Sequence, residues 1–217
     1  MKQILKGIWL VEPLGRDCNI YIIDEEIIVD TGTGSNFSAI KNEIEKYIDK
    51  KKINKIINTH AHFDHTGGNK KFRDWTKAEI FAHKDDKKLI EKGMTCADLF
   101  DEVARAVTVD KELKEGERIK TENFDFRIIS TPGHTPGSIC LYDKMKKVLI
   151  SGDTLFDGGV GRTDLPFGNP EDLKKSIDKL SRLDISYLLP GHGSPRFGGI
   201  GFLIKQALAN QIKPQHI

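Results

Sequence analysis

Residues 59–68 read Thr-His-Ala-His-Phe-Asp-His-Thr-Gly-Gly, which is the densest group of potential metal ligands in the sequence. It follows residues 53–58, a short β-branched run that predicts a strand. His60 and His62 stand two residues apart, a spacing that points both side chains the same way on an extended chain and nearly opposite ways on a helix. Because the stretch continues a predicted strand, we expect extended geometry and two neighbouring imidazoles.

Asp64 and His65 follow in the same stretch, before the pair Gly67 and Gly68. Glycine adopts backbone conformations that other residues avoid, so we expect the two glycines to let the chain turn sharply here. Four potential ligands therefore leave one strand end within a few residues. Imidazole and carboxylate groups suit zinc, iron or manganese, which makes a metal site the first interpretation.

Three more candidate ligands follow other predicted strands, each inside a turn-forming motif. His134 lies in Thr-Pro-Gly-His-Thr-Pro-Gly, Asp153 in Ser-Gly-Asp-Thr and His192 in Pro-Gly-His-Gly. Glycine and proline around a ligand predict tight, pre-shaped loops at the edge of a rigid sheet, where functional residues often lie.

The histidine count separates a metal site from core packing. The chain has 7 histidines, and only His83 and His216 lie outside the motifs just described. A lone histidine is usually structural, but five in glycine-flanked loops beside two aspartates are hard to explain by packing. We therefore expect the five to bind metal, His83 to be structural or to support a ligand, and His216 to be a solvated tail residue.

The length and charge of the chain bear on its domain organisation and its partners. At 217 residues it fits a single domain over 1–217. Its 38% hydrophobic and 30% charged residues are typical of a globular protein, and the formal net charge of +2 gives no general reason to expect nucleic acid or a membrane as partner. No apolar stretch is long enough to span a bilayer. We expect a small-molecule substrate, and the oligomeric state is left open.

Three scattered cysteines and the N-terminus bear on the compartment. Cys18, Cys96 and Cys140 form no C-x-x-C pair, and an odd, dispersed set fits free thiols in a reducing cytoplasm. The N-terminal apolar run contains Lys6 and no small-residue cleavage site, so it does not resemble a signal peptide. We therefore expect a cytoplasmic protein.

The rest of the chain alternates between strand-like and helix-like patterns. Asn169 is expected to cap a helix that has Pro170 in its first position. Helices are predicted over residues 36–50, 84–92, 97–107, 170–183 and 202–210. Strands are predicted over residues 8–11, 19–23, 26–30, 53–58, 124–130, 138–142, 148–151 and 185–189. The pattern predicts two mainly β sheets covered by helices.

The motif at residues 60–65, followed in chain order by His134, Asp153 and His192, resembles the metallo-β-lactamase superfamily over nearly the whole chain. The resemblance implies the metallo-β-lactamase fold, of α/β (α+β) class, which is a four-layer αββα sandwich of two mainly antiparallel or mixed sheets. It also implies two metal ions in a groove at one edge of the sheets. Zinc is our first expectation for these ions, with iron and manganese as alternatives.

Each candidate residue then has an expected role. Asp64, besides binding metal, is expected to orient a metal-bound hydroxide or to pass a proton. Asp30 ends a predicted strand and is expected to support a ligand from behind. By the resemblance, the ligands are His60, His62 and His134 for the first ion, Asp64, His65 and His192 for the second ion, and Asp153 as the bridge between them.

Two branches of the superfamily remain open. Residues 131–138 and 161–166 look most like the hydroxyacylglutathione hydrolases (glyoxalase II) and their short homologues, but persulfide dioxygenases share much of this pattern. The Asp64-His65 pair departs from the antibiotic-degrading lactamases, which commonly carry a cysteine ligand. The long glyoxalase enzymes also have a C-terminal helical segment that helps to bind glutathione. Only a short tail follows His192 here, so the carrier thiol is left open.

We therefore expect a binuclear metallo-hydrolase that cleaves a thioester of the hydroxyacyl-thiol type, or a related ester or lactone, with a metal-bound hydroxide. The alternative is a mononuclear iron persulfide dioxygenase, which would use the first metal site alone. Arg162, in a glycine-rich loop, is a candidate contact for an anionic substrate, and tying the loop together is an equally open role. Superfamily nucleases carry an extra domain for nucleic acid, which argues further against that partner.

Overall fold

The computed structural model describes residues 1–209, and these residues group into two compact units. Unit 1 comprises Met1–Leu113 and Thr121–Asn123, whereas unit 2 comprises Lys114–Lys120 and the chain from Phe124 onward. Each unit has its own sheet and its own apolar core. That residues 1–217 form one domain stays a prediction.

Unit 1 contains a mixed sheet whose spatial order follows the order of its strands along the chain. The first four strands are joined antiparallel, and the later connections are parallel. Its strands are β1 (Lys2–Leu5), β2 (Ile8–Val11), β3 (Ile20–Ile23), β4 (Ile27–Val29), β5 (Lys55–Ile57), β6 (Glu79–His83) and β7 (Lys111–Leu113). Its helices are α1 (Phe37–Glu45), α2 (Phe63–Thr66), α3 (Asn69–Thr76) and α4 (Lys84–Lys92), and Ala97–Phe100 forms a 3₁₀ turn.

The apolar pattern of unit 1 explains why these elements form. Strands β4 and β5 are short β-branched runs, and Ile28 and Ile56 are fully buried, as is usual for parallel strands covered on both faces. Helix α1 contributes Ile40 and Ile44, which lie four residues apart on one face, to the same core. The amphipathic pattern of this helix is thereby confirmed.

Unit 2 contains a second mixed sheet, which is antiparallel except where β11 and β14 pair in parallel. In spatial order its strands are β15 (Arg196–Phe197), β14 (Tyr187–Pro190), β11 (Val148–Gly152), β10 (Ile139–Asp143), β9 (Asp125–Ser130) and β8 (Arg118–Lys120). A small hairpin follows β11 and consists of β12 (Leu155–Phe156) and β13 (Gly159–Val160). The helices are α5 (Pro170–Leu180) and α6 (Ile200–Ala209).

Helix α5 begins as its sequence predicts. The Asn169 side chain accepts from Glu171 N at 3.0 Å and from Asp172 N at 3.1 Å, which satisfies two amides that have no partner within the helix. Pro170 occupies the first helical position, where it needs no amide hydrogen. The apolar face of the helix then packs into the core of unit 2 through Leu173, Ile177 and Leu180.

Unit 1 differs from the expectation in several places. Strands β1, β6 and β7 were not predicted, and helix α1 ends at Glu45 rather than at residue 50. The predicted helix over 97–107 is wrong beyond Phe100, because Asp101 adopts a left-handed conformation (φ 57°) that ends the turn. Helix α3 was not predicted from the sequence, because most of its residues are polar or charged. Its apolar contacts come from Phe72 and Trp75 alone.

Both sheets are mixed and both units carry helices, so the predicted α/β class with two sheets is confirmed. The predicted closing helix corresponds to α6, and its last predicted residue, 210, lies outside the described residues. Within residues 1–209, no helix is both long enough and apolar enough to cross a membrane.

Candidate metal centre

Unit 1 holds the first four candidate ligands in the segment that runs from the end of β5 through the short helix α2. His62 has extended backbone dihedrals (φ −63°, ψ 151°) directly before that helix. The imidazole centroids of His60 and His62 lie 4.9 Å apart, with nearly perpendicular planes, and both side chains are buried. The expected extended spacing therefore does bring the two rings together.

Asp64 and His65 lie in α2 itself and join the same group. The centroid of the His65 ring is 4.0 Å from that of His60, and His65 Nε2 is 3.7 Å from Asp64 Oδ2. The His65 side chain is fully buried, whereas 18% of the Asp64 side chain is exposed. Unit 1 thus brings all four of its candidates together, with Asp64 as the most exposed of them.

The two glycines after this group serve close packing, and the expectation that they let the chain turn sharply is wrong. Both have right-handed dihedrals that any residue adopts (φ −61° at Gly67 and −81° at Gly68). A Cβ at Gly67 would lie 2.4 Å from the Thr33 carbonyl oxygen, and one at Gly68 would lie 2.2 Å from the Thr31 carbonyl oxygen. Glycine is required because another stretch of backbone approaches too closely for a side chain.

Asp30, which follows β4, forms hydrogen bonds behind this group. Its Oδ1 accepts from Thr59 N at 2.8 Å, and its Oδ2 accepts from Thr59 Oγ1 at 2.7 Å and from His65 Nδ1 at 2.8 Å. Asp30 is 2% exposed, so these donors satisfy a buried carboxylate. Thr59 was not among the predicted site residues, although a hydroxyl residue directly before His60 was a usable signal.

These hydrogen bonds decide which ring nitrogen carries the proton. A carboxylate only accepts, so His65 donates from Nδ1 to Asp30 and keeps the lone pair on Nε2. The Thr59 hydroxyl donates to Asp30, so at 3.0 Å it accepts from His60 Nδ1, which leaves a lone pair on Nε2 there as well. Imidazole binds metal through a lone pair, and partners of this kind orient the ring for that role.

Cys18 is a neighbour of His65 that the sequence analysis did not place here. Its sulfur and the ligand atoms of Asp30 and His65 lie within 4.8 Å of one another, and all three side chains are buried. Burial raises the pKa of the Cys18 thiol to about 12, so the thiol is protonated at neutral pH. Cys18 is therefore a buried thiol beside two of the candidate site residues.

Unit 2 brings the other three candidates together around one carboxylate. Asp153 Oδ2 lies 3.6 Å from His134 Nε2 and 3.6 Å from His192 Nε2. His134 and Asp153 are buried, and 13% of the His192 side chain is exposed. A carboxylate between two imidazoles is a set of donors that suits a divalent transition metal.

The sheet of unit 2 explains how two of these residues meet. Asp153 directly follows β11 and His192 shortly follows β14, and the two strands are parallel, so their carboxyl ends lie side by side. Gly191 N donates to Gly152 O at 2.8 Å and joins the two loops. Adjacent parallel strands therefore place Asp153 and His192 at one sheet edge.

The loop that carries His134 rests on the start of α5. Asn169 N donates to Gly133 O at 2.7 Å, and Ser176 Oγ donates to Pro132 O at 2.7 Å. Gly133 has a left-handed φ of 137°, and a Cβ there would lie 2.3 Å from Leu173 N. The glycine before the histidine therefore allows a close approach of loop and helix.

The donor chemistry of both units fits a divalent transition metal. Unit 1 offers buried imidazoles whose Nδ1 atoms are engaged, together with a carboxylate, and unit 2 offers two imidazoles around a carboxylate. Such nitrogen and oxygen donors are those that zinc, iron and manganese prefer.

The two remaining histidines differ from these five. His83 ends β6 and caps α4, where its Nδ1 accepts from Asp85 N at 3.3 Å, which is the structural role expected of it. His216 lies outside the described residues.

Known proteins resemble this chain in sequence and in structure. The sequence profile of the metallo-beta-lactamase superfamily matches residues 14–192. Hydroxyacylglutathione hydrolase GloC of Haemophilus influenzae is 35% identical over 188 residues, which cover 82% of this chain and 86% of that protein.

Two solved structures match over most of their length. The crystal structure of TTHA1623 in a di-iron-bound form has a TM-score of 0.74 at 28% identity. The match covers 87% of this chain and 94% of the TTHA1623 chain. BJP-1, a subclass B3 metallo-beta-lactamase of Bradyrhizobium japonicum, has a TM-score of 0.76 at 28% identity and covers 97% of this chain and 94% of its own. This chain therefore shares the fold of both.

Replacing Gly68 by alanine is expected to destabilise the protein by about 1–3 kcal/mol, because the added methyl group collides with the Thr31 carbonyl oxygen. Urea unfolding measures the loss. Gly201, early in α6, is a matched control, because a Cβ there meets nothing within 4 Å. Gly201→Ala is expected to be neutral or slightly stabilising. Wild-type stability in Gly68→Ala would contradict the close-packing argument.

Replacing Asp30 by asparagine is expected to weaken metal binding about 10–100-fold, the range for a partner that orients a metal ligand, because His65 Nδ1 loses its carboxylate. Metal titration of chelator-treated protein measures the effect. Asp17→Asn is the control, since Asp17 is equally buried but accepts from Thr33 and Asn36. Equal losses of affinity in the two variants would show that Asp30 acts only through general stability.

Proposed function

Because this chain belongs to the metallo-β-lactamase superfamily and shares its fold, we propose that it is a binuclear metallo-hydrolase that cleaves a thioester of the hydroxyacyl-thiol type, or a related ester or lactone. Superfamily membership itself implies divalent metal ions and hydrolysis of a small molecule. Membership alone does not imply that the chain binds two ions or that its substrate is a thioester. These two proposals depend on the candidate ligands and on a relative of the chain.

The proposed ligands are those that the resemblance implies. Zinc remains the first expectation for the ions, with manganese and iron as alternatives. The di-iron form of the related TTHA1623 supports iron as a metal that this fold accepts. The ligand set is His60, His62 and His134 for one ion, Asp64, His65 and His192 for the other, and Asp153 between them.

The position of Asp153 is the observation that carries the proposal. One of its carboxylate oxygens stands 3.6 Å from Nε2 of each of two histidines that the resemblance assigns to different ions. A structural metal needs only a closed set of four ligands, whereas the seven ligands that the resemblance assigns, with Asp153 as the bridge, suit two ions. The arrangement therefore favours a catalytic pair over a single structural metal.

Two divalent ions bound by these residues would activate a water as the nucleophile, polarise the substrate carbonyl and stabilise the thiolate that leaves. The protein side chains supply the rest of the chemistry. Asp64, the most exposed candidate of unit 1, is proposed to accept a proton from the attacking water and to return it to the leaving group. Asp30 holds His65 in the tautomer that presents Nε2.

The cysteines support water rather than a thiol as the nucleophile. All three are buried free thiols. Burial raises the pKa of Cys18 to about 12 and the pKa values of Cys96 and Cys140 to about 11. Each thiol is therefore protonated at neutral pH, and a protonated thiol is a weak nucleophile.

The thioester substrate is supported by the relative GloC, whose name is hydroxyacylglutathione hydrolase. A cytoplasmic location is proposed as well, because the free thiols of Cys18, Cys96 and Cys140 fit a reducing compartment.

Replacing Asp153 by alanine is expected to remove at least one of the two ions per chain, because its carboxylate is proposed to touch both. Elemental analysis of protein purified without chelators measures the metal content. His83→Ala is the matched control, since it removes a buried histidine that caps a helix. It is expected to keep its metal and to lose about 0.5–2 kcal/mol of stability. Equal metal contents in the two variants would show that the ligand set is misassigned.

The zinc- or manganese-loaded protein is expected to cleave hydroxyacyl thioesters under strict anaerobiosis. Asp64→Ala is expected to lower kcat by about 10²–10⁴, the usual contribution of a positioned acid–base group. Release of free thiol measures the rate. Activity that requires iron, scales with dissolved oxygen and survives the Asp64→Ala change would assign the persulfide dioxygenase reaction instead.

A further inference from the structure

A short hairpin in unit 2 returns the chain to the candidate ligands of that unit. Strand β12 pairs antiparallel with β13, so the chain that leaves Asp153 comes back after Val160. Gly161 then lies against Asp153, because a Cβ there would be 1.9 Å from the Asp153 carbonyl oxygen and 3.1 Å from His134 Nδ1. The glycine lets the backbone of the next residue reach His134.

The backbone of Arg162 selects the tautomer of His134. The Arg162 carbonyl oxygen is 2.7 Å from His134 Nδ1, and a carbonyl only accepts, so Nδ1 carries the proton. The lone pair is therefore on Nε2, which is also the atom 3.6 Å from Asp153 Oδ2. One peptide group, between Arg162 and Thr163, thus prepares His134 to bind metal.

The side chain of Arg162 pairs with Asp164, two residues further along the chain. Its Nε donates to Asp164 Oδ1 at 2.8 Å, and its Nη2 donates to Asp164 Oδ2 at 2.6 Å. Two parallel bonds between a planar guanidinium and a carboxylate restrict orientation more than one bond does. The fork joins residues 162 and 164, and the Arg162 carbonyl belongs to the backbone between them. The fork therefore limits the direction in which this carbonyl points.

We infer that Arg162 and Asp164 form a positioning pair for His134, in which the guanidinium–carboxylate fork directs the Arg162 carbonyl onto His134 Nδ1. The inference rests on the proposed function in that His134 is taken as a metal ligand. The sequence left two roles open for Arg162, contact with an anionic substrate and tying the loop together. The positioning pair corresponds to the second of these roles. Asp164 offsets the positive charge of Arg162, which weakens its suitability as a contact for an anionic substrate.

The tautomer of His134 provides the direct test. Isotope-labelled full-length protein is freed of metal with a chelator, and two-bond proton–nitrogen spectra are recorded at a pH where the imidazoles are neutral. These spectra distinguish the protonated ring nitrogen from the nitrogen with the lone pair, and His134→Gln assigns the signals. Wild type is expected to carry the proton on Nδ1. Arg162→Ala and Asp164→Asn are expected to show a mixture of both tautomers.

Zinc titration of the same variants gives a second measurement. Each single change is expected to weaken zinc binding about tenfold, the lower end of the range for a partner that orients a ligand. Arg162→Lys keeps the charge but cannot form the fork, so it is expected to resemble Arg162→Ala. The double variant R162A/D164N is expected to be no worse than either single one, because both changes remove one interaction.

A matched control exists on strands β8 and β9 of the same unit. Arg118 forms the same kind of fork with Asp125, with Nε–Oδ1 at 2.8 Å and Nη2–Oδ2 at 2.5 Å. Arg118→Ala is expected to change neither the His134 tautomer nor the zinc affinity. Asp164 is 55% exposed, so Asp164→Asn tests the fork in a variant that is expected to fold.

An unchanged His134 tautomer in both Arg162→Ala and Asp164→Asn would overturn the inference. A shift in Arg118→Ala equal to that in Arg162→Ala would overturn it as well. Failure of the proposed function has a different signature. Wild-type protein that neither binds zinc nor cleaves thioesters would reject the metal centre, while its metal-free spectra would still report the His134 tautomer and its dependence on Arg162.

Discussion

The buried carboxylate of Asp30 forms the hydrogen bonds on which the group of candidate ligands in unit 1 depends. A buried carboxylate is stable only when donors surround it, and Asp30 takes three, two from Thr59 and one from His65. Asp30 itself has a left-handed φ of 61°, and its amide donates to Ile57 O at 2.9 Å. The residue therefore joins the end of β4 to the end of β5 and holds the ligand segment that leaves β5.

In unit 2 a hydrogen bond at Nδ1 also sets the tautomer of a candidate ligand, but its acceptor is of a different kind. His65 donates its Nδ1 proton to a carboxylate, whereas His134 donates its Nδ1 proton to the backbone carbonyl of Arg162. In both units the ends of strands bring the ligands near each other, and a hydrogen bond on the far side of the ring then selects the nitrogen that faces its neighbours. The positions of His65 and His134 and the protonation of their rings are thus set by separate parts of the structure.

Three glycines beside the candidate ligands, Gly68, Gly133 and Gly161, allow close packing of backbone on backbone. A Cβ at Gly68 would strike the Thr31 carbonyl, one at Gly133 would strike Leu173, and one at Gly161 would strike Asp153. Gly68 has an ordinary right-handed conformation, so a tight turn does not explain it. At these three positions glycine lets backbone segments approach one another closely, which brings the neighbouring side chains together.

The candidate ligands and the α/β class with two sheets could be predicted from the sequence, because both depend on local patterns of residues. Alternation after a β-branched run places His60 beside His62, and short motifs mark the ends of β11 and β14. Helix α3 escaped the sequence analysis because its apolar contacts are few. The protonated nitrogen of the His60, His65 and His134 rings depends instead on tertiary contacts. The acceptors of His65 and His134 lie 35 and 28 residues away along the chain, and a hydrogen bond depends on distance in space rather than in sequence.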